Sequence, residues 1–184
     1  MPLPKTHLLG GETLVGLIHA CQIPAMDDIN PTHLIGPREQ LAYLDRRSIE
    51  LPVAISPLEA WNLMMAQPLP LLKAAFWLRD AISAWFGVKR IGGFTRQHRA
   101  SVQVGDHLDF FLVEGVTSDA LLLTERDKHL DVMTCISTQG NRLIITSSVV
   151  VHNGFGRAYM LPVGQAHKWV VQNMLTRLRR SLSV

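Results

Sequence analysis

The residues best suited to chemistry in this sequence fall in its third quarter. His129 and Asp131 stand two apart at the start of a β-branched run, Leu130 to Thr138. In a strand that spacing sets both side chains on one face. An imidazole beside a carboxylate is a competent general base, because the acid fixes the tautomer and raises the basicity. Ser137, Ser147 and Ser148 are hydroxyls in the same region, but none stands at a spacing diagnostic of a nucleophile. A second polar signature follows, His152-Asn153-Gly154-Phe155-Gly156-Arg157-Ala158-Tyr159. Its Asn153-Gly154 step is turn chemistry. Its Arg157 and Tyr159 could hold the polar head of a ligand, or Arg157 could pair with an acid. His129, Asp131 and His152 could converge from neighbouring strands, but no recognised ligand spacing is present and no metal is expected.

Arg79 is a third candidate. It falls in the helical row Leu72-Phe76-Arg79-Ile82-Phe86. A cation in an apolar row snorkels to water, pairs with an acid, or faces a ligand. An acidic head on an apolar body would suit Arg79 or Arg157 in an otherwise apolar cavity lined by Leu72, Phe76 and Met174.

These side chains need elements to hold them. Residues 1–40 read as an irregular arm with one short helix, Glu12 to Cys21, broken afterwards by Pro24, Pro31 and Pro37. Residues 41–184 read as a single domain. Tyr43 to Ile55 alternates as a half-buried strand. Ser56, Pro57 and Glu59 are the N-cap, first position and third position of a short helix that ends before Pro68. A second helix is expected from about Pro70 to Phe86, stopped by Gly87. Strands follow at Asp106–Val113, Ala120–Thr124, Leu130–Thr138 and Leu143–Val151, with turns at 116–119 and 139–141. Short connections between four successive strands imply an antiparallel meander. A long amphipathic helix runs from Pro162 to Leu182, with Val163, Val170, Met174 and Leu178 in one apolar row. Gln165, Lys168, Gln172, Thr176 and Arg180 fall on its polar side. Trp61, Trp77, Trp85 and Trp169 lie on helices as core or groove lining. The order is that of an α+β fold, a curved antiparallel sheet with helices on one side.

Composition narrows the classes. An apolar fraction of 47% in 184 residues favours a generous interior, a cavity or a buried oligomer face over disorder. No run is long enough to span a membrane. The net charge is +3, and much of the excess sits at Arg177, Arg179 and Arg180, where it complements a helix C-terminus. No basic and aromatic face of the kind that binds nucleic acid is visible. Leu14 to Cys21 carries only a faint likeness to an export signal, and two distant cysteines fit reduced thiols in a cytoplasmic protein.

Three stretches together carry a resemblance. Trp77-Leu78-Arg79-Asp80 before Phe86-Gly87-Val88-Lys89, then Glu125-Arg126-Asp127-Lys128-His129-Leu130-Asp131, then His152 to Tyr159, resemble the DUF2867 family over roughly Tyr43 to Arg179. The resemblance implies a helix-grip fold similar to the START/Bet v 1-like group. Members of that group enclose apolar ligands between sheet and C-terminal helix; some are cyclases or hydrolases, and many only bind or carry. The family also occurs behind a nucleotide-binding dehydrogenase-like domain, but no Gly-rich phosphate loop follows a strand here, so no cofactor is expected. Glu125-Arg126 stands where the family more often has an acidic pair. The resemblance brings no established activity with it. The sequence therefore favours a non-catalytic binder of a small apolar or amphipathic molecule, with Arg79, His129, Arg157 and Tyr159 as polar contacts. The alternatives are a cyclase- or hydrolase-type enzyme using His129 and Asp131, and an interaction module or homodimer partnering a dehydrogenase-like protein.

Overall fold

The computed structural model describes residues 33–67 and 97–183. The expected helices at 12–21 and 70–86, with Leu72, Phe76, Arg79, Trp77, Trp85 and Cys21, lie outside the described residues.

The sheet has six strands: β1 (Leu41–Glu50), β2 (His107–Leu108), β3 (Phe111–Val116), β4 (Ala120–Arg126), β5 (Leu130–Gln139) and β6 (Arg142–Val151). Its order is β1-β6-β5-β4-β3-β2, antiparallel throughout, so β2 to β6 form the meander and β1 joins beside the last strand. The short turns explain the pairing. Gly140, at φ +62°, links β5 to β6 with Gln139 opposite Arg142. Thr117 and Asp119 bond through their side chains in the turn before β4.

Two strand expectations needed correction. The first strand stops at Glu50, because Pro52 has no N–H to donate; Leu51 instead bonds back to the Asn141 carbonyl. The stretch 106–113 is two strands, since Asp109 takes a left-handed φ of 58° and reverses the chain.

Helix α1 (Pro57–Ala66) is capped as its sequence demands, with the Ser56 hydroxyl accepting the Glu59 N–H at 3.2 Å. Helix α2 (Gly154–Ser181) closes the chain and packs on the sheet. It begins eight residues before Pro162. The Asn153 side chain caps it by accepting the Gly156 N–H at 3.0 Å, and Pro162 sits inside it. Proline there leaves one carbonyl of the preceding turn without its helical donor, which a long helix tolerates. Arg179 and Arg180 occupy its last turn.

α1 and α2 lie on the same face. Trp61 and Met64 of α1 and Val171, Leu175 and Leu178 of α2 bury against Leu143 and Ile145 of β6, Ile136 of β5, Leu121 and Leu123 of β4, and Val113 of β3. The apolar row of β5 thus faces the helices. Its other row, Met133 and Cys135, joins Thr146 and Ser148 on the far face, which is also buried. Residues 34–36 cross that face: the Ile35 N–H donates to Ser148 Oγ at 3.0 Å, and Gly36 lies against Val150. Burial pushes the Cys135 thiol up to about 12.

The polar side assigned to α2 was partly misplaced. Gln172 and Lys168 turn toward β1, and Trp169 is 51% exposed. The reason lies in β1, whose helix-facing row at Tyr43, Asp45 and Arg47 is itself polar.

Candidate functional site

The chemistry gathers at the joint between the β4–β5 turn and the start of α2. The turn is built locally. The Asp127 carboxylate accepts the N–H of His129 at 2.6 Å and of Leu130 at 2.9 Å, an arrangement short acidic side chains make readily. His129 therefore sits before β5, in the turn, and the alternation of the strand does not govern it.

Asn153 binds the turn to the helix. Its Oδ1 accepts the Gly156 N–H, and its Nδ2 donates to the Lys128 carbonyl at 3.1 Å. Those two bonds fix which end of the amide is which. Nδ2 also lies 2.9 Å from His129 Nδ1. Oδ1, which accepts the cap's N–H, lies 3.2 Å from the same nitrogen. In the tautomer in which Nδ1 accepts from the nearer Nδ2, the neutral ring carries its proton on Nε2. Nε2 is buried and has no hydrogen-bond partner among the described residues. Phe155 packs against the imidazole with ring centroids 4.7 Å apart, and Tyr159 stacks on Phe155 at 6.2 Å. Arg157 is exposed in the same first turn of α2.

Gly156 makes the closeness possible. A Cβ there would stand 2.6 Å from the His129 carbonyl oxygen and 2.8 Å from Val151 Cγ1. That carbonyl is already held, accepting the His152 N–H at 2.8 Å.

Asp131 is not the partner of His129 here. It lies on the face away from α2, 3.1 Å from His152 Nε2 and 3.9 Å from Arg126 Nε. Arg126 pairs in turn with Glu114, so side chains of β3, β4 and β5 and the His152 ring just past β6 form one polar row. The Arg126 hydrogen bond holds the Glu114 carboxyl below the usual range, and the Arg126 guanidinium is raised correspondingly. Of the expected site residues, His129, Arg157 and Tyr159 come together at the helix start. Met174 packs on the apolar core instead.

A second polar cluster went unread in the sequence. Tyr43 Oη lies 3.3 Å from His167 Nδ1, Arg47 donates to Asp45 at 2.8 Å and to Gln172 Oε1 at 3.0 Å, and the Lys168 ammonium stands 5.9 Å from the Tyr43 ring centre. Burial lowers His167 below its ordinary value of 6.5, with Asp45 opposing and Arg47 adding to the shift. Burial also raises the Tyr43 hydroxyl. The available signal was the alternate-position row Tyr43-Asp45-Arg47 on a strand whose next inward residue, Ile49, packs on the core.

Among the described residues, no group of three or more His, Cys, Asp or Glu side chains could hold a metal ion, and no helix is long and apolar enough to cross a membrane. A search of curated proteins and a search of solved structures each found no match. The family model of DUF2867, a protein family of unknown function, matches residues 38–174, a span that includes β1, the whole meander, the 127–130 turn and the capped start of α2, and the chain belongs to that family.

Proposed function

We propose that this chain is a non-catalytic binder of a small amphipathic molecule, one that offers a hydrogen-bond acceptor beside a flat or apolar body. The observation that carries the reading is His129 Nε2, a buried ring nitrogen with no hydrogen-bond partner among the described residues, which donates in the tautomer that accepts from Asn153. A buried donor left unmade costs on the order of 1–3 kcal/mol, and a ligand oxygen would recover it. Phe155 and Tyr159 offer an aromatic wall beside the donor, and Arg157 offers a cation to a carboxylate. The helix-grip likeness fits the same reading, with the ligand beside the first turn of α2. The space under the C-terminal half of α2 is filled by Leu143, Ile145, Leu175 and Leu178.

Binding is favoured over catalysis by the partner on Nδ1. A general base is served there by a carboxylate, which supports the charge it gains. Here the partner is the neutral amide of Asn153.

Calorimetric titration tests the proposal with two probes of like shape, naphthoate and acetylnaphthalene. His129→Leu should weaken both. One lost hydrogen bond to a charged acceptor is about 1.5–3 kcal/mol, so the naphthoate loss should be roughly tenfold or more. Arg157→Met should weaken naphthoate alone. If His129→Leu keeps the wild-type melting curve and still binds both probes as tightly, the site assignment is wrong. Native mass spectrometry of the freshly purified protein reports any molecule already carried.

A further inference from the structure

β1 is ten residues long and lies at the edge of the sheet, with β6 as its one strand neighbour among the described residues. The other edge, β2, has two residues and offers little to pair with. A ten-residue edge presents a row of backbone N–H and C=O groups to any strand that reaches it.

α2 runs beside that edge. Gln172 bonds to Arg47 of β1, whereas Met174, nearly half a turn around, packs on the core. The helical row containing Gln172 therefore lies on the β1 flank, and at 3.6 residues per turn it includes Leu161, Gln165 and Trp169. Leu161 is 76% exposed and Trp169 51%. Two large apolar side chains thus stand in water along the flank of the long edge.

We propose that this flank is an interface between two copies of the chain, with β1 pairing antiparallel to its copy about a two-fold axis at Arg46 and with Leu161 and Trp169 covering the seam. The charges choose the axis. If both α2 helices stay on one face, the axis falls on a residue of β1 or between equivalent positions of like parity. An axis at Asp45 opposes two carboxylates, and an axis at Arg47 opposes two guanidinium groups. An axis at Arg46 sets Asp45 against the partner's Arg47 and Arg47 against the partner's Asp45, a self-complementary pair of pairs. Arg46 itself lies on the other face, in the row with Thr146 and Cys135. The two Arg46 side chains oppose each other there, one like-charged pair against two oppositely charged ones. The pairing would continue the sheet from one copy into the next and remove its long edge.

The test has two arms that do not depend on each other. In sedimentation the wild-type chain should weigh twice its 20.5 kDa. Leu161→Glu with Trp169→Glu, both at exposed positions, should weaken the dimer at least about tenfold. In a Cys21→Ser background, Arg46→Cys should crosslink to itself under mild oxidation, because opposite Cα atoms on the axis stand about 4.5–5.5 Å apart. Leu44→Cys should not, since its copies stand about 13 Å apart along the strands. A wild-type chain that sediments at one chain mass at every concentration overturns the proposal. So does a dimer indifferent to the two glutamates, or one in which Leu44→Cys crosslinks as well as Arg46→Cys. None of these outcomes bears on the His129 site, which shares no residue with the β1 flank.

Discussion

Gly156→Ala puts one methyl group into the contact that docks α2 on the β4–β5 turn. An ordinary contact for that carbon starts at 3.4 Å, and the structure allows 2.6 Å to the His129 oxygen and 2.8 Å to Val151. The helix start must retreat by roughly 0.8 Å, or the His129 carbonyl must let go of the His152 N–H; overpacking of this kind costs about 1–3 kcal/mol. Alanine returns up to about 0.8–1 kcal/mol of helix propensity, less in a first turn. The net loss is about 1–2 kcal/mol. Gly154 is the control, two residues earlier in the same turn, where a Cβ meets nothing within 4 Å. Gly154→Ala should therefore gain a few tenths of a kcal/mol. Urea unfolding of the three proteins, with m-values checked for constancy, measures the difference directly. A Gly156→Ala chain as stable as Gly154→Ala would mean that the helix start is not seated on the turn, and the geometry assigned to His129 would fall with it.

Other measurements reach different parts of the molecule. Asn153→Ala should cost about 1–2 kcal/mol, through the lost cap and the bonds to Lys128 and His129. In nitrogen-15 spectra the wild-type His129 should read as the Nε2–H tautomer, and a wild-type Nδ1–H form would refute the assignment. His167 has a folded-state pKa below 6.5, so the unfolded chain binds its proton more readily. The stability this neutral ring contributes is therefore complete above 6.5 and is lost as pH falls through the folded value. Unfolding at a series of acid pH values should show a slope that His167→Gln reduces; an equal slope in both would assign the acid loss to other groups. Asn62 holds the backbone of Arg99 at both ends, donating to its carbonyl at 2.8 Å and accepting its N–H at 3.1 Å. Asn62→Ala should destabilise by about 1–3 kcal/mol and speed proteolysis near Arg99.

The fold was readable where local rules and tertiary packing agree. Ser56, Pro57 and Glu59 form the expected cap. The facing of β5 was open in the sequence: its more apolar row turns to the helices at Ile136, yet Met133 and Cys135 of the other row are buried as well. The start of α2 was misread because Asn153-Gly154 serves a turn and a helix cap equally well, and Pro162 looked like a first position. The site was half readable. His129, Arg157 and Tyr159 were identified as residue types, yet the partner of His129 is set by a long-range contact 24 residues away, and no spacing in the sequence encodes that. The structure sets Asp131 beside His152 and His129 beside Asn153, because a residue in a turn does not share the facing of the strand that follows. The β1–α2 polar layer was missed because a surface helix and a helix lying over a polar strand show the same amphipathic pattern.

The position of β1 has a consequence for how the chain acquires its shape. Each pairing from β2 to β6 joins neighbours in sequence and closes a short loop. β1 closes loops of roughly 90–110 residues to reach β6, a far larger entropic demand. It leaves the ribosome first among the strands and can be satisfied only after β6 has followed it. Until then the Ile144 to Val151 segment of β6 waits as an unpaired, largely apolar border, the kind of surface on which nascent chains aggregate. Docking of β1 ends this exposure, and a chain shortened from its N-terminus past Leu41 should leave that border open.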